Sequence, residues 1–177
     1  MAHLLIHRGL AKKNFTENTI SAFKYCFKKK YGIETDIHHT KDCKIVCFHD
    51  FNLKRKFKIN KILKNSKYKD LLKISKSKKN PIPLLNDLIK ISKNKRFLML
   101  EIKPLFSKES LKVLLSETKK LKNYSITSFK EKNIINLYKM KRNLNLGLII
   151  PSTFAVDKIV KKSNAKHIKF LVIEKKF

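Results

Sequence analysis

Short β-rich apolar runs alternate with amphipathic stretches along the whole chain, and this alternation limits the fold more than any other feature of the sequence. Runs at residues 4–7, 33–37, 45–48, 97–102, 124–127, 146–150 and 168–173 read as strands. Residues 18–29, 68–74, 84–92, 108–121, 131–140 and 154–162 read as helices, the first with Ile20, Phe23, Cys26 and Phe27 on one face. The run at 97–102 is nearly all apolar, as expected of a parallel strand covered on both faces. Strand–helix alternation predicts a parallel sheet with covering helices. About seven such strands suit a TIM-type (β/α)8 barrel better than a short open sheet. A complete barrel usually takes about 250 residues, and at least about 200. This chain has 177, and its seventh strand is its last. The expectation is therefore a single α/β domain over residues 1–177, a TIM-type barrel left incomplete by a missing closing strand.

Composition excludes two classes. With 42% hydrophobic and 32% charged residues the chain is neither disordered nor membrane-spanning by composition, and no apolar run reaches the roughly 20 residues that cross a bilayer. The opening stretch is too short in apolar residues for a signal peptide, so a cytoplasmic location is expected. The net charge of +30 raises the question of nucleic acid. All but four of the 43 basic residues are lysine, and they are spread along the chain. Dedicated phosphate and base readers favour the arginine fork, so compositional drift is preferred over nucleic-acid binding, with attraction of anionic substrates as a by-product. Cys26, Cys43 and Cys47 have no disulfide or zinc-site spacing and read as reduced thiols.

The ionisable residues gather at strand ends. The first strand runs into His7-Arg8-Gly9, the second carries Glu34 and Asp36, the third ends in His49-Asp50, and the fourth ends in Glu101 with Lys103 two residues on. Active-site groups of (β/α) barrels sit at such ends. Glu34 and Asp36 share a strand face, where two carboxylates repel unless a cation or proton lies between them. Glu101 adds a third oxygen donor. An all-oxygen set suits a hard cation, Mg²⁺ or Ca²⁺. His38 continues the two-residue step but is not favoured as a ligand, Asn18 reads equally as a ligand-orienting group or a helix cap, and Glu17 reads as capping or surface.

Taken together, these segments resemble the glycerophosphodiester phosphodiesterase family. The resemblance is carried by Ile6-His7-Arg8-Gly9, Thr16-Glu17-Asn18-Thr19, Gly32-Ile33-Glu34-Thr35-Asp36, Phe48-His49-Asp50, Ile82-Pro83-Leu84 and Leu100-Glu101-Ile102-Lys103, over roughly residues 3–130. It implies an enzyme that hydrolyses glycerophosphodiesters to sn-glycerol 3-phosphate and an alcohol. It implies that Glu34, Asp36 and Glu101 hold one divalent cation, that His7 and His49 form the acid–base pair, and that Arg8 and Lys103 meet the phosphate. In the family's mechanism the metal and one histidine activate the substrate's own glycerol hydroxyl, the other histidine protonates the departing alcohol, and water opens the cyclic phosphate.

The chain departs from the family at its end: the closing strand, with tryptophan followed by threonine and asparagine, is not found. A truncated reading frame, an open barrel covered by a partner such as a second copy, and a degenerate enzyme all fit that departure. The alternative function is a non-catalytic remnant binding anions or nucleic acid through its basic surface.

Overall fold

The structure, a computed structural model, describes residues 4–10 and 15–174. Its strands are β1 (Leu5–His7), β2 (Gly32–His39), β3 (Ile45–Cys47), β4 (Leu98–Ile102), β5 (Tyr124–Ser128), β6 (Leu146–Pro151) and β7 (Phe170–Glu174). Its helices are α1 (Ile20–Lys28), α2 (Lys54–Phe57), α3 (Tyr68–Ser77), α4 (Leu85–Ser92), α5 (Lys108–Glu117), α6 (Glu131–Met140) and α7 (Val156–Ser163). Six strands pair in parallel in the order β1-β2-β4-β5-β6-β7, a half-barrel with helices outside. Among the described residues β1 does not pair with β7, so the sheet is open there.

The two-residue period of the strands separates two surfaces. Ile33 and Ile37, then Leu98, Leu100 and Ile102, then Ile126, Leu146, Leu148 and Ile150 are all buried in one apolar cluster. That cluster takes Phe23 and Cys26 from α1, Leu85 and Leu88 from α4, Leu111 and Leu114 from α5, and Ile134 and Leu137 from α6. Each such buried side chain stabilises the fold by about 1.5–3 kcal/mol relative to exposure. The alternate positions, Glu34, Met99, Glu101, Thr127, Ile149 and Val172, line a cleft on the concave side. Gly147 also alternates inward, and a Cβ there would stand 2.5 Å from the Phe170 ring, so only glycine lets β7 lay that ring against β6.

The third strand is used differently from the other six. β3 runs antiparallel to the end of β2, pairing Ile37 with Cys47 and His39 with Ile45. The reason is the connection: five residues separate the strands, and a parallel crossover needs a dozen or more. The turn is fixed by Thr40, whose hydroxyl donates to Asp42 at 2.7 Å and accepts from the Lys44 amide at 3.0 Å. The consequence is functional. The Phe48 amide bonds the Asp36 carbonyl at 3.0 Å, so the hairpin returns the chain to the carboxyl end of β2.

Between β3 and α4 the chain makes an excursion with its own apolar cluster of Val46, Phe48, Leu53, Phe57, Leu63, Leu71 and Ile82. The three cysteines are free, as expected. Among the described residues no helix is long and apolar enough to cross a membrane. His3 and residues 175–177 lie outside the described residues.

Candidate active site

The cleft, about 420 Å³, is lined by His7, Arg8, Glu34, His49, Glu101 and Lys103, with Met99, Thr127, Phe129, Ile149, Val172 and Glu174 completing it. Register brings the acids together. Glu34 and Asp36 are two apart on β2, and Asp36 sits directly opposite Glu101 on β4. One carboxylate oxygen from each lies within 4.8 Å of the others. Glu34 Oε1 and Asp36 Oδ1 are buried and accept no hydrogen bond, and Glu101 Oε1 has only the Lys103 ammonium beside it, at 2.7 Å. Burial, and then the charges of Asp36 and Glu101, push the Glu34 carboxyl up to about 8. Burial likewise raises Glu101, although Lys103 opposes it.

Buried acceptors left without donors are costly, and like charges this close resist ionising together. Arg8 and Lys103 bring two positive charges to three carboxylates, so the cluster retains a demand for a cation. Three hard oxygens with unmet lone pairs fit a divalent ion such as Mg²⁺ or Ca²⁺.

Asp36 is the most firmly placed of the three. The Asn18 side-chain amide donates to its Oδ2 at 2.9 Å, and Asn18 Oδ1 accepts from Thr35 at 2.7 Å. Asn18 holds φ +54°, a conformation asparagine tolerates better than most residues. The cap of α1 is its neighbour Thr19, whose hydroxyl accepts from the Ala22 amide. Asn18 therefore does not cap α1, and its side chain is instead bound to Asp36 and Thr35. Arg8 Nε pairs with Asp36 Oδ2 at 3.1 Å, and Lys103 Nζ lies 3.5 Å from Oδ1. Lys103 also stands 5.7 Å from the Phe129 ring centroid. Burial pulls the Lys103 ammonium down, but its bond to Glu101 outweighs this and holds it above its ordinary value.

The turn after β1 shapes the near wall. Arg8 and Gly9 both have positive φ, +55° and +66°, and a Cβ on Gly9 would press on Phe23 at 3.1 Å. This turn aims the Arg8 amide at Glu34 Oε2, at 3.1 Å. His7 Nε2 stands 3.8 Å from the same oxygen, with 70% of its side chain exposed. Partial burial, then the Arg8 charge, hold His7 below its ordinary pKa, so its ring is neutral near pH 7.

His49 arrives from the loop after β3. Its Nδ1 lies 2.6 Å from Asp50 Oδ1. A carboxylate only accepts, so Nδ1 carries the proton and Nε2 is free for proton transfer. Asp50 in turn accepts from Arg55 Nε at 2.7 Å, and Arg55 also binds Glu17. Glu17 accepts from Arg8 Nη1 at 3.1 Å, and its carbonyl accepts from Lys56 at 2.9 Å. A continuous polar chain thus runs Asp36–Arg8–Glu17–Arg55–Asp50–His49. Burial opposes ionisation of Glu17 and Asp50, yet the arginine bonds keep both below their ordinary values. His38 is not in the acid cluster. It is buried, burial takes its pKa down to about 4, and its Nε2 donates to the His49 carbonyl at 3.1 Å.

The structure therefore brings together His7, Arg8, Glu34, Asp36, His49, Glu101 and Lys103. Sequence reasoning missed the bridge made by Glu17 and Arg55, for which no local signal exists across 38 residues. It also missed Met99, Thr127, Ile149 and Val172, which strict alternation from Glu101 outwards would have placed in the cleft.

An open parallel sheet with its polar residues at the carboxyl ends of the strands defines a (β/α)-barrel protein with its site at the usual end. Within that class the chain belongs to the Glycerophosphoryl diester phosphodiesterase family, which matches residues 7–175. A glycerophosphodiester phosphodiesterase of Caldanaerobacter subterraneus subsp. tengcongensis is 29% identical over 160 residues, 82% of this chain and 65% of the relative. Human lysophospholipase D GDPD1 is 36% identical over 102 residues, 50% of this chain and 32% of the relative. The matches to curated relatives span 32% to 65% of those proteins. In fold, the chain resembles the crystal structure of a glycerophosphodiester phosphodiesterase from Thermotoga maritima, with TM-score 0.80 at 23% identity over 98% of this chain and 74% of that one. It also resembles an Oleispira antarctica phosphodiesterase solved with the product sn-glycerol-3-phosphate, TM-score 0.83 at 18% identity over 97% and 74%.

Proposed function

We propose that this chain hydrolyses glycerophosphodiesters to sn-glycerol 3-phosphate and an alcohol, using one divalent cation, Mg²⁺ or Ca²⁺. The observation that carries this is the convergence of three carboxylates, with buried oxygens on Glu34 and Asp36 that accept no hydrogen bond, and two histidines, an arginine and a lysine around one cleft. Family membership supports the reaction class.

Glu34, Asp36 and Glu101 would hold the cation, which when bound supplies Lewis-acid stabilisation of charge on the phosphoryl oxygens. Lys103 and Arg8 bring positive charge to the same wall. Arg8 has already engaged Nη1 and Nε, so it offers phosphate its charge and its remaining N–H groups. His7, neutral and open to the cleft, suits the base that takes the proton of the attacking glycerol hydroxyl. His49 suits the acid that gives a proton to the departing alcohol, because Asp50 fixes its tautomer and steadies the ring when it is charged. Opening of the cyclic phosphate by water then reverses those roles.

The test is release of glycerol 3-phosphate from glycerophosphocholine and glycerophosphoethanolamine by the purified chain, by His7→Ala and by His49→Ala. Turnover by the parent chain with a loss of about 10²–10⁴ in each variant is expected. Anion binding without turnover, unaffected by either substitution, would instead identify a non-catalytic remnant.

A further inference from the structure

We infer that the face around the cleft mouth, on the side of β2 to β5, docks on an anionic lipid bilayer. The site so presented draws its meaning from the phosphodiesterase reading; the docking itself does not depend on it.

Two independent observations meet on this face. The first is apolar. Phe51, Ile62 and Leu105 are 53%, 45% and 46% exposed, and they line one shallow groove of about 390 Å³ together with Pro104 and the lysines Lys64 and Lys130. Three large apolar side chains held half in water at one place are a cost that a partner removes. The groove adjoins the site, since His38, which lines it, donates to the His49 carbonyl and meets the Phe51 ring edge-on at 5.1 Å. Phe129, 40% exposed, continues the apolar rim into the cleft.

The second observation is charge. Every charged residue from Phe51 to Lys67 is lysine or arginine. Arg55 and Lys56 are occupied with Glu17 and Asp50. Lys54, Lys58, Lys64 and Lys130 are exposed, and no described residue forms an ion pair with them. Exposed apolar side chains beside the unpaired Lys64 and Lys130, with Lys54 and Lys58 on the neighbouring pocket that shares Asn52, match the two layers of an anionic membrane surface, acyl chains below and phosphates above. Nucleic acid would use the lysines but give Ile62 and Leu105 nothing to contact, so lipid fits better.

The chain contains no tryptophan, so one introduced residue gives a clean signal. The full chain, its Ile62→Trp variant and the triple variant Phe51→Ser/Ile62→Ser/Leu105→Ser are mixed with vesicles and pelleted. The vesicles are phosphatidylcholine alone or phosphatidylcholine with roughly one-third phosphatidylglycerol. The parent chain should pellet with the anionic vesicles, and at least about tenfold less with phosphatidylcholine alone. The triple variant should lose about tenfold in binding at near-physiological salt while its hydrolysis of soluble glycerophosphocholine is unchanged. Emission from Ile62→Trp should shift to the blue on binding.

Failure of the parent chain to bind anionic vesicles overturns the inference. So does undiminished binding by the triple variant, or unshifted Ile62→Trp emission on bound vesicles. Preference for a homopolymer RNA over vesicles, retained in the triple variant, would assign the face to nucleic acid instead. Vesicle binding lost in the triple variant, in a chain that hydrolyses nothing, would leave the docking intact and defeat the catalytic reading.

Discussion

The two walls of the cleft are built on opposite plans. On one, Glu34, Asp36 and Glu101 stand on neighbouring strands, with buried oxygens on Glu34 and Asp36 that accept no hydrogen bond. On the other, His49 stands on a loop, and every charge behind it is partnered through Asp50, Arg55 and Glu17. The strand wall is held by backbone pairing and is electrostatically incomplete, whereas the loop wall is complete and owes its position to side chains. The difference indicates where each fails: the first when its cation demand is removed, the second when a single bridging group is cut.

The largest effect is expected from Asp36→Asn. Asp36 contacts Asn18, Arg8 and Lys103, and it faces Glu101 across the register. Turnover should fall by at least about 10³-fold, with divalent-ion binding by calorimetry falling in parallel. A smaller loss, about 10- to 100-fold in kcat, is expected from Glu17→Gln, which keeps the shape but weakens the link between Arg8 and Arg55. Unchanged melting with reduced kcat would locate that effect in positioning of the site, and Glu17→Asp should recover part of it.

How much of this was legible in the sequence follows from what holds each part. Glu34, Asp36 and Glu101 are fixed by strand period and parallel register, so their shared face could be read from spacing alone. The direction of β3 was also within reach, because the five residues around Thr40 are too few for a crossover. The Glu17–Arg55 bridge was not, since it depends on how two distant loops pack. Asn18 was half legible: its type suited a cap, but the neighbouring Thr19 took that place and left Asn18 for Asp36.

The smallest effect separates the walls by pH. Glu34 is raised from 4.5 to about 8, so in the cation-free protein the folded state holds a proton there that the unfolded state gives up. Stability should therefore decline as pH rises across that window, by at most about 1.4 kcal/mol per pH unit. Saturating divalent cation should flatten the decline, and Glu34→Gln should abolish it. Urea melts from acid to mildly basic pH, with EDTA and with cation, measure this directly. His38 acts in the opposite sense: lowered to about 4, it adds stability as pH rises from 4 to 6.5 and offsets Glu34 over that range, so the Glu34 decline stands alone only from about 6.5 to 8.

The most direct test of the central claim is a single assay run three times on the same purified chain. Release of sn-glycerol 3-phosphate from glycerophosphocholine is followed before chelation, after EDTA, and after return of Mg²⁺ or Ca²⁺. Activity that disappears with the chelator and returns with the cation is the predicted result. Activity indifferent to EDTA, or none under any of the three conditions, would contradict the account.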